Sequence, residues 1–410
     1  MLQSFLVGGA VRDELLGLTP KDKDYVVVGS SPEEMLSLGF RSVGKDFPVF
    51  LHPDSSEEYA LARSEKKISK GYTGFEFYAH PDVTIEQDLL RRDLTINAMA
   101  RDLLTGELID PYNGKSDLDN KIIRHVSSAF SEDPLRVLRV ARFYARYHHL
   151  GFTIADETLS LMEQLSKTDE LNHLTPERVW VEVNKALGEK SPEKFFECLH
   201  ESGALSIVLP EINALWGVPQ PATHHPEIDT GVHTMLALKQ CASMTENKVF
   251  RFGTLVHDLG KAVTPKGKLP QHIGHEDAGV AIVNNLCERL RAPKEYREFA
   301  AIICAKHTHI HRALDLTPKK LLETLKAMDF KRKPDRFAGF CIVAESDARG
   351  RTGFENRDYP QAQYLLNAAE AVRKVNMRDF DYTTEKGKQE AHNALLNACK
   401  VVKSEYEKSH

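Results

Sequence analysis

The chain has 410 residues, of which 41% are hydrophobic and 28% charged, and its formal net charge is −5 at pH 7. This length is too great for one ordinary hydrophobic core, and the composition excludes a disordered or fibrous chain. No apolar run approaches the roughly 18 residues of a membrane span, the first residues lack the basic region of a signal peptide, and the six cysteines show no CxxC spacing. We therefore expect a cytoplasmic chain of two to four domains with buried, reduced thiols and no membrane segment.

The first third of the sequence predicts short strands separated by turns. Residues 25–28 form an apolar, β-branched run that ends at Gly29, and residues 47–51 and 58–63 are further candidate strands. From Asp133 onward, apolar residues recur at helical spacing. This change of period predicts an α+β fold, in which a small α/β head precedes a long, all-helical body.

Two local signals divide the helical part. Residues 175–177, Thr-Pro-Glu, place a cap, a proline and an acid in the order that is typical of a helix start. Residues 218–221, Val-Pro-Gln-Pro, are rich in proline and predict a domain boundary.

A pair of acids, Asp22 and Asp24, leads into the first of the strands named above. Residues i and i+2 of a strand share a face, so the two carboxylates can project side by side. Close like charges repel each other unless a cation bridges them, and proteins hold Mg2+ with one or two carboxylates together with substrate phosphates. The pair is either a metal site or a solvated edge of the sheet, and Glu58 is a candidate third carboxylate.

A glycine pair just upstream favours the metal site. Gly8 and Gly9 let the backbone approach a phosphate closely, and Arg12 can pair with a phosphate oxygen. A tight turn before a helix explains an isolated glycine pair equally well. Together with the acids, the segment predicts a site for a nucleoside triphosphate and its metal, although no Walker A loop is present.

Arginines dominate two further segments. Residues 91–99 begin with Arg-Arg-Asp, and the predicted helix after Asp133 carries Arg136, Arg139 and Arg142 at every third position. An aspartate beside an arginine offers an acceptor and a fixed fork of donors, which can read the edge of a nucleobase. On this helix alone, a surface ion pair between residues i and i+3 explains the same spacing.

Taken together, these segments resemble the bacterial class II tRNA nucleotidyltransferases, the CCA-adding enzymes of the polymerase beta superfamily. The matching motifs, over about residues 5 to 190, are VGGAVRD, DKD, RRDLTINAMA, IDPYNG, EDPLRVLRVARF and PERVWVE. The resemblance implies template-independent addition and repair of the 3′-terminal CCA of tRNA, with CTP and ATP as substrates and pyrophosphate as product.

The resemblance also implies a role for each matching residue. Asp22 and Asp24 would hold catalytic Mg2+, and Asp133 with Arg136 would pair with the incoming base in place of a template. The residues implied to bind ATP or CTP are Gly9, Arg12, Arg92, Asp133, Arg136, Arg139 and Arg142. The residues implied to brace this pocket are Glu177, Arg178 and Glu182.

Histidines cluster between His224 and Asp347, which predicts a second site. Neutral imidazoles with carboxylates suit a transition or borderline divalent metal. The adjacent pair His257-Asp258, preceded by an apolar run and followed by Gly260, resembles the HD superfamily of metal-dependent phosphohydrolases. The best candidate ligands are His233, His257, Asp258 and Asp347, with His275 and His307 as further candidates.

A head of this kind joined to an HD body resembles the subtype found in gamma-proteobacteria and relatives. The resemblance implies 2′,3′-cyclic phosphodiesterase, 2′-nucleotidase and phosphatase activity, with Ni2+ or another divalent transition metal. It implies tRNA, ATP and CTP as partners, and we expect a monomer or weak homodimer. The implied domains are a nucleotidyltransferase head (1–130), a nucleotide-selecting and tRNA-binding neck (131–220), an HD domain (221–350) and a helical tail (351–410).

Three alternatives stay open. A bacterial poly(A) polymerase shares the head motifs but usually ends in a strongly basic tail, whereas residues 400–410 are mixed in charge. A regulatory nucleotidylating enzyme with an HD domain is much longer and lacks the EDxxR segment. A tRNA-binding scaffold would keep a basic groove without turnover.

The tRNA-binding surface is the least defined feature of the sequence. Recognition of RNA shape needs only scattered cations on helices, which a solvated surface also carries. The candidates are Lys319, Lys320, Lys331, Arg332 and Lys333.

Overall fold

The computed structural model describes residues 2–20, 22–43, 49–67, 75–78, 80–223 and 225–409. The chain forms two compact units, Met1–Glu182 with Lys194–Val208, and Val183–Glu193 with Leu209–His410. In the described residues the strands belong to the first unit and the second is helical, which confirms the α+β class. The four-part division at residues 130, 220 and 350 stays a prediction.

The first unit is organised by a mixed sheet, which has seven strands in the described part of the chain in the order β3-β4-β5-β2-β1-β8-β9. Within the described part of this sheet, only β2 and β5 pair in parallel. Apart from it, β6 pairs with β7 antiparallel and β10 with β11 parallel. The strands are β1 (Gln3–Val7), β2 (Asp24–Val28), β3 (Arg41–Ser42), β4 (Val49–Leu51), β5 (Glu58–Leu61), β6 (Ser64–Lys67), β7 (Phe75–Tyr78), β8 (Ala100–Asp102), β9 (Leu108–Ile109), β10 (Ile122–Ile123) and β11 (Thr153–Ile154).

Most of the helices follow the sheet. They are α1 (Gly9–Leu15), α2 (Pro32–Ser37), α3 (Ile85–Leu90), α4 (Gly114–Asp119), α5 (Leu135–Tyr147), α6 (Asp156–Ser166), α7 (Pro176–Ala186), α8 (Glu193–Glu201), α9 (Leu205–Val208), α10 (Pro210–Asn213), α11 (Thr230–Met244), α12 (Lys248–Val256), α13 (His275–Arg289), α14 (Lys294–His311), α15 (Pro318–Ala327), α16 (Pro334–Arg349), α17 (Pro360–Lys374) and α18 (Glu385–Ser409). None of those described is both long and apolar enough to cross a membrane.

The strand predictions agree with the sheet where it is described. The run at 25–28 lies in β2, the middle strand of the sheet, in which Tyr25, Val26 and Val27 are buried and Val28 is half-buried. The segment at 58–63 is strand only as far as Leu61, and of 47–51 only β4 is described because residues 44–48 lie outside the described residues. The helix predicted at Thr-Pro-Glu begins at Pro176.

Strand β2 sets the position of the predicted metal-binding acids. Asp24 is its first residue and is in register with Val7 at the end of β1 and with Glu58 at the start of β5. Beneath the sheet, buried apolar residues such as Phe5, Val26 and Leu89 form one core cluster. This packing fixes the edge of the sheet at which the acids and the glycine turn meet.

The second unit packs its helices around an apolar cluster that includes Phe299, Phe340 and Leu365. The proline-rich segment at 218–221, predicted to be a domain boundary, lies inside this unit. Its backbone is held there, because Gln220 N donates to Ile228 O at 2.7 Å. The six cysteines of the chain are buried and free, as predicted.

Candidate active sites

The first unit contains a cavity of about 490 Å³ at the end of β2. Its walls come from the turn before α1 and the start of α1, from residues 91–97 and from α5 along most of its length. The lining residues include all those implied for the metal and the nucleotide, namely Gly9, Arg12, Asp22, Asp24, Arg92, Asp133, Arg136, Arg139 and Arg142. The structure thus brings together residues that lie up to 133 positions apart in the chain (142 − 9).

The glycine turn at one side of the cavity requires its glycine. Gly8 has φ +68°, and a Cβ there would lie 2.8 Å from Nη1 of Arg92. A side chain at this position would be strained by the backbone and would displace an arginine of the pocket. The turn therefore presents bare backbone to the cavity, followed directly by Gly9.

Arg12 is fixed in the cavity wall by several contacts. Its Nε and Nη2 donate to Oδ1 of Asp13 at 2.9 and 2.7 Å, and Nη1 donates to Oδ1 of Asn97. The guanidinium also lies over the rings of Phe143 and Tyr147, at 5.4 and 5.3 Å from their centroids. Such a preorganised cation suits a phosphate ligand, because little side-chain freedom is lost on binding.

Arg91 and Arg92 share one buried anchor. Oδ1 of Asp88 accepts from Nη2 of Arg91 at 2.6 Å, and Oδ2 accepts from Nη2 of Arg92 at 3.1 Å. Burial alone would raise the pKa of Asp88, but the two arginines lower it below its ordinary value. Asp88 therefore stays ionised and holds both guanidinium groups at the cavity.

Asp93 holds Arg139 in the same way. Oδ2 of Asp93 accepts from Nε of Arg139 at 2.7 Å, and Oδ1 accepts from Nδ2 of Asn97 at 3.1 Å. Burial by itself raises the pKa of Asp93, but the charge of Arg139 and these hydrogen bonds lower it to about 2. Neither Asp93 nor Asn97 was assigned a role from the sequence.

This pair predicts a pH-dependent contribution to stability. The pKa of Asp93 is about 2 in the folded chain and near its ordinary value of 3.8 after unfolding, so the contribution is fully present above pH 4 and is lost as the pH falls towards 2. We expect Asp93→Asn to lower the free energy of unfolding by about 2 kcal/mol at pH 7 and by about half as much at pH 3. Urea unfolding at the two pH values measures this difference.

Asp119→Asn is the matched control, because Asp119 forms an exposed ion pair with Lys115. We expect it to cost no more than about 0.5 kcal/mol at either pH. An Asp93→Asn cost that is equal at pH 7 and pH 3 would contradict the assigned ion pair.

The predicted base-reading pair has a different arrangement from a simple i,i+3 ion pair. Oδ2 of Asp133 accepts from Nη2 of Arg178 at 2.8 Å. Arg136 instead donates to the backbone oxygens of Ala129 and Arg91, at 2.7 and 2.5 Å. Both side chains are thus held at the cavity wall by partners distant in the sequence.

Helix α7 contributes Glu182, a buried acid that pairs with an arginine of the cavity. Oε2 of Glu182 accepts from Nε of Arg142 at 2.6 Å, and Arg142 lies over the ring of Phe143 at 4.5 Å. Glu177, the third residue implied to brace the pocket, is exposed and does not line the cavity.

Asp22 and Asp24 differ from the acids described above, because they are exposed to the cavity. Among the described residues, neither carboxylate has an ion-pair or hydrogen-bond partner, although many arginines line the same walls. Two carboxylates that are separated by one residue and have no partner in the described chain fit a hard divalent cation that also binds phosphate oxygens. Glu58 is in register with Asp24 but is exposed and does not line the cavity.

The second unit contains the histidine cluster, which forms two adjoining groups. In the first, Nε2 of His233 lies 3.0 Å from Oδ1 of Asp347, and Nε2 of His257 lies 3.6 Å from Oδ2 of Asp347. In the second, Nε2 of His275 and of His307 lie 3.4 and 3.5 Å from Oδ1 of Asp258. The four best candidate ligands and the two further ones therefore converge, whereas His224 lies outside the described residues.

Hydrogen bonds fix the tautomers of these histidines. Nδ1 of His257 donates to Thr254 O at 2.7 Å, and Nδ1 of His275 donates to His272 O at 2.6 Å. Nδ1 of His307 likewise faces backbone oxygens, at 3.0 Å from Cys304 O. Because Nδ1 carries the proton in each ring, each Nε2 directs a lone pair inward, which is the arrangement of metal-ligating histidines.

Asp258 joins the two groups. Its Oδ2 lies 3.2 Å from Nε2 of His257, while its Oδ1 faces the second group. Both oxygens and Nε2 of His257 are buried, and Oδ2 also lies close to the ammonium of Lys261. Burial would raise the pKa of Asp258, but His257 and Lys261 lower it well below its ordinary value. An ionised, buried carboxylate that faces histidines on both sides would suit divalent metal ions held together with those histidines.

Three residues around this centre were missed by the sequence analysis. Oε1 of Glu227 lies 3.0 Å from Nδ1 of His233, which orients that ring. Lys261 Nζ lies 2.6 Å from Oδ2 of Asp258, and Nε2 of His311 lies 2.6 Å from Oδ2 of Asp347. Lys261 is three positions from Asp258, a spacing that one helical turn brings together. No spacing rule connects His311 with Asp347, which lie 36 positions apart.

The candidate tRNA-binding cations are all exposed. Three of them approach acids: Nζ of Lys320 lies 3.1 Å from Glu323, Nε of Arg332 lies 2.9 Å from Asp329, and Nζ of Lys333 lies 3.8 Å from Glu298. Their role in tRNA binding stays a prediction.

Comparisons with known proteins agree with both centres. A family model described as "Poly A polymerase head domain" matches residues 4–124, one described as "Probable RNA and SrmB- binding site of polymerase A" matches residues 151–215, and one described as "HD domain" matches residues 231–336. Among solved structures, a CCA-adding enzyme in an apo form has a TM-score of 0.65 at 18% identity, covering 100% of this chain and 92% of that one. The Bacillus stearothermophilus CCA-adding enzyme in complex with CTP has a TM-score of 0.61 at 23% identity, covering 98% and 89%.

Fold and sites together define an enzyme with a nucleotidyltransferase head and an HD-type centre, both of which use divalent metal ions. Multifunctional CCA proteins of Teredinibacter turnerae and Pseudomonas aeruginosa are 55% and 54% identical to the chain, each over 98% of it and over 98% and 99% of the relative. That of Haemophilus influenzae is 53% identical over 99% of both chains. The chain belongs to the family of multifunctional CCA proteins.

Proposed function

We propose that the chain adds and repairs the 3′-terminal CCA of tRNA, with CTP and ATP as substrates and pyrophosphate as product, and that its HD centre hydrolyses phosphate esters. The main support for the first part is one cavity that holds the glycine turn, the anchored arginines and two carboxylates without a partner among the described residues. A cytoplasmic monomer or weak homodimer completes the proposal.

In the head, different residues bind the triphosphate and the metal ion that phosphoryl transfer requires. Arg12 and Arg92, held by Asp13 and Asp88, bind and orient the triphosphate. Mg2+ held by Asp22 and Asp24 supplies, when bound, the charge that favours ionisation of the tRNA 3′-hydroxyl and departure of pyrophosphate. The chain contributes mainly position and charge, which is what phosphoryl transfer requires.

Base choice is assigned to Asp133 and Arg136. Arg136 uses two of its donors on the backbone oxygens of Ala129 and Arg91, and this fixes the plane of the guanidinium. In the proposed complex the guanidinium of Arg136 and an oxygen of Asp133 form hydrogen bonds to the edge of C or A that U and G cannot match.

Replacing Arg136 is therefore expected to relax base choice. In Arg136→Ala the ratio of correct to incorrect incorporation should fall by about 10- to 100-fold, because a good bidentate contact is worth about 1–3 kcal/mol of discrimination. Single-nucleotide addition with each of the four triphosphates measures this ratio. The KM for the correct triphosphate should change much less, and an equal loss with all four nucleotides would contradict the base-reading role.

The HD centre is proposed to act as a 2′,3′-cyclic phosphodiesterase, 2′-nucleotidase and phosphatase. Ni2+ or another divalent transition metal bound by the histidines and Asp258 supplies, when present, a Lewis acid and an activated water. Lys261 adds a fixed positive charge beside Asp258, suited to a phosphate oxygen. Such activity would restore a free hydroxyl at a damaged tRNA 3′ end.

The direct test uses a tRNA that lacks its terminal CCA, with CTP, ATP and Mg2+. Addition of C, C and A followed by a stop is the expected result. A long A tail would support the poly(A) polymerase alternative, and no incorporation would support a binding scaffold.

A further inference from the structure

A cleft of about 390 Å³ opens beside the HD centre in the second unit. We propose that this cleft binds the nucleoside end of the phosphate ester, with Gln220 as a donor to the phosphate and Ile273 as an apolar contact for the nucleoside. The inference rests on the proposed phosphohydrolase activity and adds to it the two residues of the chain that contact the phosphate and the nucleoside of the substrate.

The position of the cleft connects it with the metal centre. Its walls include His275, one of the candidate ligands, and Lys261, whose Nζ lies 2.6 Å from Oδ2 of Asp258. A phosphate group at the inner end of the cleft would therefore meet a cation and the metal-binding residues together. The rest of the ester must then extend outward along the cleft.

Gln220 supplies an unused donor at this inner end. The side chain is 2% exposed, and its Oε1 accepts from Nζ of Lys261 at 2.6 Å. Because a lysine ammonium only donates, this contact fixes which end of the amide is oxygen. The Nε2 group is consequently buried in the cleft wall, where no described residue accepts a hydrogen bond from it. A phosphate oxygen of the substrate satisfies that donor.

The proline-rich segment holds Gln220 in place. Gln220 N donates to Ile228 O, and the flanking Pro219 accepts from Nε2 of His272 at 3.0 Å. Since this nitrogen of His272 donates, its Nδ1 accepts from Thr264 at 2.7 Å. These bonds tie the segment 264–272 to the segment that carries Gln220 and fix the two walls of the cleft.

Ile273 stands on the outer wall beyond this anchored segment. It is 87% exposed, an unusual state for a large aliphatic side chain, and it lines the cleft together with Pro221 and Pro270. An apolar rim above a polar, cationic floor matches a ligand with a phosphate at one end and a base and sugar at the other.

The test compares two cyclic esters that differ only beyond the phosphate ring: adenosine 2′,3′-cyclic phosphate and glycerol 1,2-cyclic phosphate. With Ni2+ present, Ile273→Ser is expected to raise the KM for the adenosine ester on the order of tenfold, with kcat little changed, because an apolar contact worth about 1.4 kcal/mol is lost. Its KM for the glycerol ester should stay the same. Gln220→Leu should lower kcat/KM for both esters by a similar factor, since both carry the phosphate.

Val263→Ser is the matched control, because Val263 is an exposed aliphatic residue, at 57% exposure, that does not line the cleft. It should leave both esters unaffected. A second readout is the binding of adenosine 2′-monophosphate to chelator-treated protein, measured by calorimetry, which Ile273→Ser should weaken by the same factor. Any nucleotide bound by the head contributes equally to the unaltered protein and to this variant.

Equal changes for both esters in Ile273→Ser, or the same change in Val263→Ser, would overturn the inference. If the unaltered protein hydrolyses neither ester, the proposed phosphohydrolase function fails instead. In that case the binding measurement still tests the role of the cleft. An affinity for adenosine 2′-monophosphate that is unchanged in Ile273→Ser would overturn the inference independently of turnover.

Discussion

The double variant Asp22→Asn, Asp24→Asn is expected to lose CCA addition by about 1,000-fold or more while it retains hydrolysis at the HD centre. Both carboxylates face the cavity and lack protein partners within the described chain, so their charge is available to a cation. An amide has the same shape but cannot neutralise a divalent ion. Incorporation of labelled CTP into tRNA that lacks CCA measures the loss.

Asp54→Asn provides the control, because Asp54 is an exposed acid of the same unit that does not line the cavity. It should leave the rate of incorporation unchanged. Thermal unfolding should be similar in all three proteins, since neither Asp22 nor Asp24 takes part in packing. A double variant that extends tRNA at the unaltered rate would contradict the assignment of the metal site.

The second large effect is expected at the HD centre. Asp258→Asn should lower the hydrolysis of 2′,3′-cyclic phosphates by about 1,000-fold and should abolish tight binding of divalent metal by this unit. The reason is that Asp258 faces both groups of histidines, Oδ2 towards His257 and Oδ1 towards His275 and His307. One substitution therefore removes a ligand from each group.

The Ni2+ content of the protein after dialysis distinguishes a centre with one ion at each histidine group from a centre with a single ion. Two ions bound at the histidine groups of the unaltered protein, and a much smaller content in Asp258→Asn, are the expected results. CCA addition serves as the internal control and should be retained. Retention of both ions by Asp258→Asn would show that Asp258 is not a ligand shared by the two histidine groups.

The sequence predicted those parts of the sites that follow from local periodicity or from adjacent motif residues. Asp22 and Asp24 share a strand face by the two-residue repeat, and the glycine turn precedes a helix, so the pattern alone placed them. The HD pair is likewise adjacent in the chain. The α+β class followed from the change of period near Asp133.

The missing parts are contacts between distant positions. Asp93 and Arg139 are 46 residues apart, and His233 and Asp347 are 114 apart. The helix rule predicts Asp133 and Arg136 as an i,i+3 pair, but α5 begins only at Leu135 and Asp133 is extended. Arg178 instead donates to the carboxylate of Asp133, and Arg136 donates to backbone oxygens. Which arginine pairs with a given acid depends on the three-dimensional packing, and sequence spacing does not determine it.

The proline-rich segment, whose role as a domain boundary stays a prediction, also makes a contact that local reasoning could not predict. Pro219 and Pro221 were interpreted as a boundary because proline ends regular structure. In the fold the same rigidity holds Gln220 against Lys261, inside the second unit. A proline predicts where a helix cannot continue. The structural role of the segment that follows depends on the residues that pack against it.

The most direct measurement of two separate centres in one chain uses a tRNA that lacks CCA and ends in a 2′,3′-cyclic phosphate, supplied with CTP, ATP, Mg2+ and Ni2+. The unaltered protein should restore the mature end, whereas His257→Ala and the Asp22→Asn, Asp24→Asn variant should each fail alone and succeed when mixed. If His257→Ala extends the blocked tRNA as fast as the unaltered protein, the HD centre has no part in end repair and the account is contradicted.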